Sequence, residues 1–200
     1  MEQVLVYAGT VTFAVTGALV AVRREFDLVG VLLLAAVTAV GGGSIRDVVV
    51  GIVPPTSLQD ETLLWLVFGT GLVVFALHRF VPTGRTLYVF DTVSLGLFAA
   101  LGAERGLQAG FGFWGTVFAG AVSGVGGGII RDLLTGEVPG VLYRSGDFYA
   151  TAAAAGAGAC FLLQPVGPTL ALVGGAVVAI AVRVGSRLVG LRLPTPRTSP

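Results

Sequence analysis

The sequence predicts an all-α membrane protein with seven transmembrane helices, formed by two inverted three-helix repeats and a seventh helix. Three observations predict this fold class. The 200-residue chain is 54% hydrophobic and 12% charged, whereas soluble domains are about 25% charged. Its apolar residues form seven runs separated by short polar breaks, and a glycine-rich segment occurs twice. This composition excludes a water-soluble globule, a disordered chain and a nucleic-acid binder that uses a basic surface.

The seven apolar runs are taken as helices because a bilayer core needs about 20 apolar residues per helix. The predicted spans are 4–22, 28–50, 62–81, 87–103, 111–134, 148–164 and 168–189. The first run follows Glu2 and lacks a basic start and a cleavage pattern, so we interpret it as a retained helix and not as a signal peptide. Residues 1–191 then form a single transmembrane domain. Residues 192–200 contain three prolines and are predicted to be disordered.

The distribution of arginine predicts how the helices are oriented. All basic residues are arginines. Those at the predicted helix ends lie almost entirely on the side of the membrane where the C-terminus is predicted. Those on that side are Arg23, Arg24, Arg79, Arg85, Arg144, Arg183, Arg187, Arg192 and Arg197, and only Arg105 lies opposite. Because cytoplasmic loops are enriched in arginine, we expect a cytoplasmic C-terminus and an external N-terminus in the cell (inner) membrane.

A segment of fourteen residues recurs 85 positions later and indicates an internal repeat. Residues 41–54 are GGGSIRDVVVGIVP, and residues 126–139 are GGGIIRDLLTGEVP. The same offset pairs Phe13 with Phe98 and Gly17 with Gly102, so the similarity extends over a second helix.

Each repeat unit contains three predicted helices, residues 1–82 in the first and 86–166 in the second. An odd number of spans makes the second unit enter the membrane from the opposite side. Helix seven, residues 168–189, lies outside the repeat. Folds of this kind place a permeation or substrate site between the two halves.

Each copy of the motif begins with three consecutive glycines inside an apolar run. A glycine within a helix costs about 1 kcal/mol relative to alanine, so the triplets need a reason. We expect the second and fifth helices to kink there and to border a hydrated path, and tight packing alone is the alternative. The glycines concerned are Gly41, Gly42, Gly43, Gly126, Gly127 and Gly128.

Four charged residues follow the glycines: Arg46, Asp47, Arg131 and Asp132. An ionised residue inside a bilayer costs at least about 2.5–3.5 kcal/mol. Neighbouring helix residues point in different directions, so we expect each arginine to meet an acid on another helix and the two arginines to have equivalent surroundings. In the alternative, these residues extend to the interfaces as helix-end anchors.

Further polar residues of the apolar runs are candidates for lining or gating a pore. Asp91 has Val6 as its repeat equivalent, so it breaks the symmetry, and it is expected either to attract a cation or to pair with an arginine. The hydroxyl candidates are Thr10, Thr38, Ser44, Ser94 and Ser123. Each of these hydroxyls could instead bond the backbone of its own helix.

The residue types that the chain lacks limit its chemistry. There is no lysine, one cysteine (Cys160) and one histidine (His78). A phosphate-binding loop, lysine catalysis and a Cys/His metal cluster within one chain are therefore excluded. No nucleophile–base pair is visible, so we expect no enzyme, no cofactor and no tightly bound metal.

The doubled Gly-Gly-Gly-x-x-Arg-Asp motif, each copy followed by Gly and Pro, resembles the prokaryotic branch of the trimeric intracellular cation (TRIC) channel family. The stretch from Phe13 to Ala18 is similar to that family's first helix, and the resemblance covers about residues 4–190. This chain departs from the eukaryotic members, which place a lysine near one kink.

The resemblance implies a homotrimer in the lipid bilayer, with one pore in each protomer for K⁺ and other monovalent cations. Helices two and five, kinked at the glycine triplets, would line the pore, and permeant K⁺ or Na⁺ would occupy it. Prokaryotic relatives are also described as transporters of glycine or small amino acids, so a secondary transporter is the alternative. A membrane scaffold without transport is a third hypothesis, and nucleic acid is not an expected partner.

Overall fold

All regular secondary structure in the part of the chain that the structure describes is helical. This structure is a computed structural model, and it describes residues 1–81, 83–142 and 148–191. The long helices are α1 (Glu2–Arg23), α2 (Leu28–Val49), α3 (Glu61–Leu77), α4 (Thr83–Gln108), α5 (Phe113–Leu134), α6 (Tyr149–Leu163) and α7 (Pro168–Val189). Short helical turns occur at Thr56–Gln59, His78–Phe80 and Gly140–Leu142.

The predicted runs correspond one by one to these helices. Within the described residues, six helices are long and apolar enough to cross a membrane, and α6 is a shorter apolar helix of 15 residues. The largest difference between the predicted and the observed helices is at α4, which is predicted at 87–103 and extends over 26 residues, Thr83–Gln108. The helix continues through the charged residues at both ends because arginine and glutamate are good helix formers. The predicted disordered segment 192–200 lies outside the described residues, as does Arg144.

Aspartate and glycine residues explain several helix ends. Asp27 Oδ1 accepts a hydrogen bond from the Gly30 N–H at 2.7 Å, and Asp60 Oδ1 accepts one from the Leu63 N–H at 3.0 Å, so each carboxylate caps the start of a helix. Helices α2 and α5 are each followed by a glycine in the left-handed region, Gly51 at φ +83° and Gly136 at φ +72°. These two glycines are 85 positions apart, so the motif ends in the same way in both halves.

The first two helices of each half pack against each other through the same close contact. A β-carbon added to Gly17 of α1 would lie 2.6 Å from the Leu34 carbonyl oxygen of α2. A β-carbon added to Gly102 of α4 would lie 2.8 Å from the Ala119 carbonyl oxygen of α5. Both residue pairs are related by the 85-residue offset. The structure therefore repeats the helix packing as well as the sequence.

Helices α2 and α5 cross each other at the glycine triplets. A β-carbon on Gly42 would lie 2.5 Å from the Ser123 carbonyl oxygen, and a β-carbon on Gly127 would overlap the Thr38 carbonyl oxygen. The hydrogen-bonded helix is continuous through both triplets. Close packing therefore accounts for the central glycines, and the kinks at these positions stay a prediction.

Helix α7 packs on α4 and α6, so one half of the molecule has an additional helix. Gly156 of α6 allows this contact, because a β-carbon there would lie 2.6 Å from the Gly175 carbonyl oxygen of α7. Large apolar side chains on several helices are exposed, among them Trp65 at 75% and Trp114 at 79%. Apolar side chains facing outward are what a lipid environment favours.

Candidate functional site

The motif arginines lie in two separate buried clusters. The first cluster consists of Arg46 and Asp47, in the last turn of α2. The second cluster consists of Arg131 and Asp132 of α5, Asp91 of α4 and Arg183 of α7. Arg46 and Arg131 are each only 7% exposed, so both side chains are buried within the protein and do not extend outward from its surface.

In the first cluster, Arg46 pairs with its own neighbour. Its Nη2 lies 2.6 Å and its Nε 2.9 Å from Asp47 Oδ1, and its Nη1 lies 3.5 Å from Ser123 Oγ of α5. Asp47 Oδ2 accepts hydrogen bonds from the N–H of Thr56 at 2.8 Å and from its hydroxyl at 2.7 Å. The expectation that Arg46 meets an acid on another helix is therefore wrong. The arginine side chain is long enough to fold back onto the adjacent carboxylate.

In the second cluster, Arg131 does meet an acid on another helix. Its Nη1 lies 2.7 Å from Asp91 Oδ1, and its Nη2 lies 2.9 Å from Asp132 Oδ1. Asp91 Oδ2 lies 2.8 Å from Nη2 of Arg183, so one carboxylate bridges two arginines. The predicted equivalence of the two motif arginines is therefore wrong. The difference arises because position 6, the repeat equivalent of Asp91, holds valine.

Each cluster borders a cavity that also touches the third glycine of its triplet. The first vestibule, with a volume of about 410 Å³, is lined in part by Gly43 and Arg46 of α2. The second vestibule, of about 120 Å³, is lined by Gly128 and Arg131 of α5 together with Asp91, Asp132, Tyr149 and Arg183. The vestibules thus occupy equivalent places in the two halves, on either side of the glycine crossing, and the first is the larger.

The wall of the first vestibule carries charges of both signs. Asp60 Oδ2 accepts a hydrogen bond from the Tyr7 hydroxyl at 3.1 Å, and Arg105 pairs with Glu2 at 2.9 Å. Beyond Tyr7 and Asp60 lies an open hollow of about 590 Å³, and the two cavities share four lining residues: Gln3, Tyr7, Thr56 and Asp60. The first vestibule therefore has a polar mouth.

The hydroxyl candidates divide into two groups. Thr10 lines the first vestibule, Ser123 lies beside Arg46, and Ser44 Oγ is 3.1 Å from Oγ of Ser57, which also lines that vestibule. In contrast, Thr38 donates to the Leu34 carbonyl oxygen at 2.6 Å, and Ser94 donates to the Phe90 carbonyl oxygen at 2.5 Å. These last two hydroxyls satisfy the backbone of their own helices.

Sequence reasoning did not identify several residues that the structure brings to the vestibules. Arg183 was counted as a helix-end arginine in the orientation argument, although it lies inside the predicted run 168–189 and is 4% exposed. The criterion that set Arg46 and Arg131 apart, a position within an apolar run, would have identified it. Tyr7, Asp60 and Tyr149 carry no comparable signal, because only the packing of α1, α3 and α6 brings them to the cavities.

Known proteins resemble this chain over nearly its full length. A protein-family model described as "Glycine transporter" matches residues 3–79 and 88–165. The UPF0126 membrane protein of Deinococcus radiodurans is 52% identical over 191 residues, covering 94% of this chain and 89% of that protein. The UPF0126 inner membrane protein YadS of Escherichia coli K12 is 36% identical over 193 residues, covering 94% of this chain and 92% of that protein.

Solved structures also resemble this chain over nearly its full length. A chain from a study of conductance through TRIC cation channels superposes with a TM-score of 0.90 at 34% identity, covering 99% of this chain and 98% of that chain. The TRIC trimeric intracellular cation channel orthologue from Rhodobacter sphaeroides gives a TM-score of 0.87 at 40% identity, covering 95% and 98%. A prokaryotic TRIC channel crystallised in 0.5 M KCl gives 0.88 at 30% identity, covering 92% and 94%.

Proposed function

The chain belongs to the prokaryotic branch of the TRIC channel family, and from this membership we propose that it conducts monovalent cations across a membrane. It is a multi-pass membrane protein, since its relatives are membrane proteins and its helices are long and apolar. Its structural neighbours are channels, so it is not an enzyme. The observation that carries the proposal is the likeness to solved cation channels over 99% of the chain at 34% identity.

Two cavities support a path within a single protomer. We propose that cations pass from the first vestibule to the second along the crossing of α2 and α5. The glycine triplets have no side chains there, so backbone carbonyl oxygens can face the path. Such oxygens and nearby hydroxyls replace part of the hydration shell of K⁺ or Na⁺. In this proposal the two helices bend at their glycine triplets when the path opens. Both motif arginines are paired with carboxylates, which reduces their repulsion of a cation.

The assembly and orientation are part of the same proposal. We propose a homotrimer with one pore per protomer, two inverted halves and a cytoplasmic C-terminus in the inner membrane. The arginine bias remains when the buried Arg183 is removed from the count, because all the other helix-end arginines except Arg105 still lie on one side. Cross-linking of the purified protein tests the trimer, and labelling of cysteines introduced into the loops tests the orientation.

A planar-bilayer recording of the purified protein tests the function directly. With KCl on both sides, we expect discrete unitary currents that increase linearly with voltage. Bilayers that received detergent without protein are the control. Purified, folded protein without unitary currents under these conditions would contradict the channel proposal.

Glycine transport is the second candidate, because the first vestibule has features that suit a small zwitterion. Its wall presents Arg46 and Arg105 as well as Asp60 and Glu2, and its volume of about 410 Å³ exceeds that of such a solute. The matching family model is also described as "Glycine transporter". Saturable uptake of labelled glycine into proteoliposomes, without unitary currents, would favour this candidate. Currents without glycine uptake would exclude it.

A further inference from the structure

Asp91 holds together three helices through two arginines. Its Oδ1 lies 2.7 Å from Nη1 of Arg131 on α5, and its Oδ2 lies 2.8 Å from Nη2 of Arg183 on α7. Asp91 and Arg183 are both only 4% exposed. A carboxylate that uses each of its oxygens for a different guanidinium attracts both and weakens their mutual repulsion, although its single negative charge offsets only one of the two positive charges.

This arrangement has no counterpart in the other half. Position 6, the repeat equivalent of Asp91, is valine, and Arg183 belongs to the helix outside the repeat. Arg46 pairs with Asp47 instead. The second vestibule therefore contains one more arginine and one more acid than the repeated motif supplies.

The charges of the second cluster are closely spaced. Among the described residues, Arg131 and Arg183 face Asp91 and Asp132, so losing one acid makes the cluster more positive by one charge beside a cavity of about 120 Å³. In surroundings of low dielectric constant, an unbalanced charge acts strongly on a nearby ion. Charged groups that line a narrow cleft also determine which sign of ion enters it.

The second vestibule has room and polarity for water. Its volume of about 120 Å³ is several times the roughly 10–15 Å³ that one water molecule needs. The hydroxyl of Tyr149, which lines it, is buried without a hydrogen-bond partner among the described residues, and the Arg183 guanidinium lies 4.3 Å from the centre of the Tyr149 ring. An ion in this vestibule would therefore be next to the charges of the cluster and not separated from them by apolar packing.

We propose that Asp91 sets the charge selectivity of the second vestibule by pairing with both Arg131 and Arg183 and lowering their combined positive charge. Arg183 of α7 is then a specificity-determining residue that lies outside the repeated motif. The inference rests on the channel function proposed above and assigns selectivity between cations and anions to this cluster.

The test is the K⁺/Cl⁻ permeability ratio, measured from reversal potentials of purified protein in bilayers under a KCl gradient. Asp91→Asn removes one acid, and we expect the ratio to fall about tenfold or more. Arg183→Gln removes one arginine and should raise the ratio. The double variant Asp91→Asn/Arg183→Gln has the same net charge as the unchanged protein, and the ratio should return to within about threefold of that protein's ratio.

Arg187→Gln is the matched control. This arginine lies one turn further along α7, 3.8 Å from the centre of the Tyr88 ring, which Arg183 also faces at 5.3 Å. Because Arg183 and not Arg187 is among the residues that line the second vestibule, we expect a clearly smaller change in the ratio than in Arg183→Gln. Size-exclusion chromatography checks the folding of every variant. If Asp91→Asn does not fold, Arg183→Gln and the double variant still test the inference.

The two proposals can fail separately. Unchanged ratios in Asp91→Asn and in Arg183→Gln, with normal currents from the unchanged protein, would overturn the selectivity inference alone. Equal effects of Arg183→Gln and Arg187→Gln would also overturn it. Folded protein that carries no current would overturn the channel function, and the selectivity inference with it.

Discussion

The two halves of the molecule carry the same arginine–aspartate motif in different surroundings. In the first half, Arg46 pairs with Asp47 and borders a cavity of about 410 Å³. In the second half, Arg131 is joined by Asp91 and Arg183, and the cavity is only about 120 Å³. Sequence repetition therefore reproduces the helix packing but not the electrostatic environment. Here the difference arises from one position in the repeat, 6 against 91, and from a helix that the repeat does not include.

The largest expected effect concerns Asp91. Asp91→Ala leaves two buried arginines without their shared carboxylate, and removing one partner of a buried ion pair costs about 3–5 kcal/mol. We expect a loss of this size in the free energy of unfolding, measured by denaturant titration in detergent. Val6→Ala changes the equivalent position of the first half and should cost clearly less. Equal losses in the two variants would contradict the difference between the halves.

The glycine crossing should respond more moderately and in the same way in both halves. Gly42→Ala and Gly127→Ala each place a methyl group against a carbonyl oxygen of the partner helix, so we expect each to lose about 1–3 kcal/mol through overpacking. Gly69→Ala is the control, because a β-carbon at Gly69 would have no atom within 4 Å. The control should be neutral or up to about 1 kcal/mol more stable. Thermal unfolding measures the stability of the three variants. Equal stability of all three would contradict the packing role of the central glycines.

The segments that follow the motif differ between the halves in how they bond the motif aspartate. The N–H and hydroxyl of Thr56 both bond Asp47, whereas Asp132 accepts the N–H of Gly140 at 3.1 Å, and the repeat equivalent of Thr56 is Val141. Thr56→Val makes the first half like the second and removes one hydrogen bond to a carboxylate, which costs about 1.5 kcal/mol. Thr56→Ser keeps the hydroxyl and serves as control. A full loss of stability in Thr56→Ser would show that packing, and not the hydroxyl, is responsible.

We expect the smallest change in stability from breaking the ion pair between Arg24, which follows α1, and Glu137, which follows α5. Both side chains are partly exposed, at 43% and 58%, and their repeat equivalents Ala109 and Ile52 carry no charge. Exposed pairs contribute about 0.2–1 kcal/mol and are screened by salt. Glu137→Gln should therefore lower stability slightly at low ionic strength and hardly at all at high ionic strength. A large effect that does not depend on salt would mean that the link between the halves is more than a surface ion pair.

The sequence by itself determined the helices, the family and the repeat of 85 residues. Apolar runs of spanning length form helices because lipid leaves the backbone no other hydrogen-bond partners, and this signal is local. The motif and the apolar runs also singled out Arg46, Arg131 and Asp91 as charged residues within predicted helices, and all three are buried in the structure.

Only the tertiary structure decided which charge meets which. Arg46 contacts its neighbour, Arg131 contacts α4, and Arg183 reaches Asp91 from a helix that the repeat does not contain. It also showed that the central glycines serve the close crossing of α2 and α5. The physical reason is that burial and charge can be read along one helix, whereas partners depend on which faces of different helices come together.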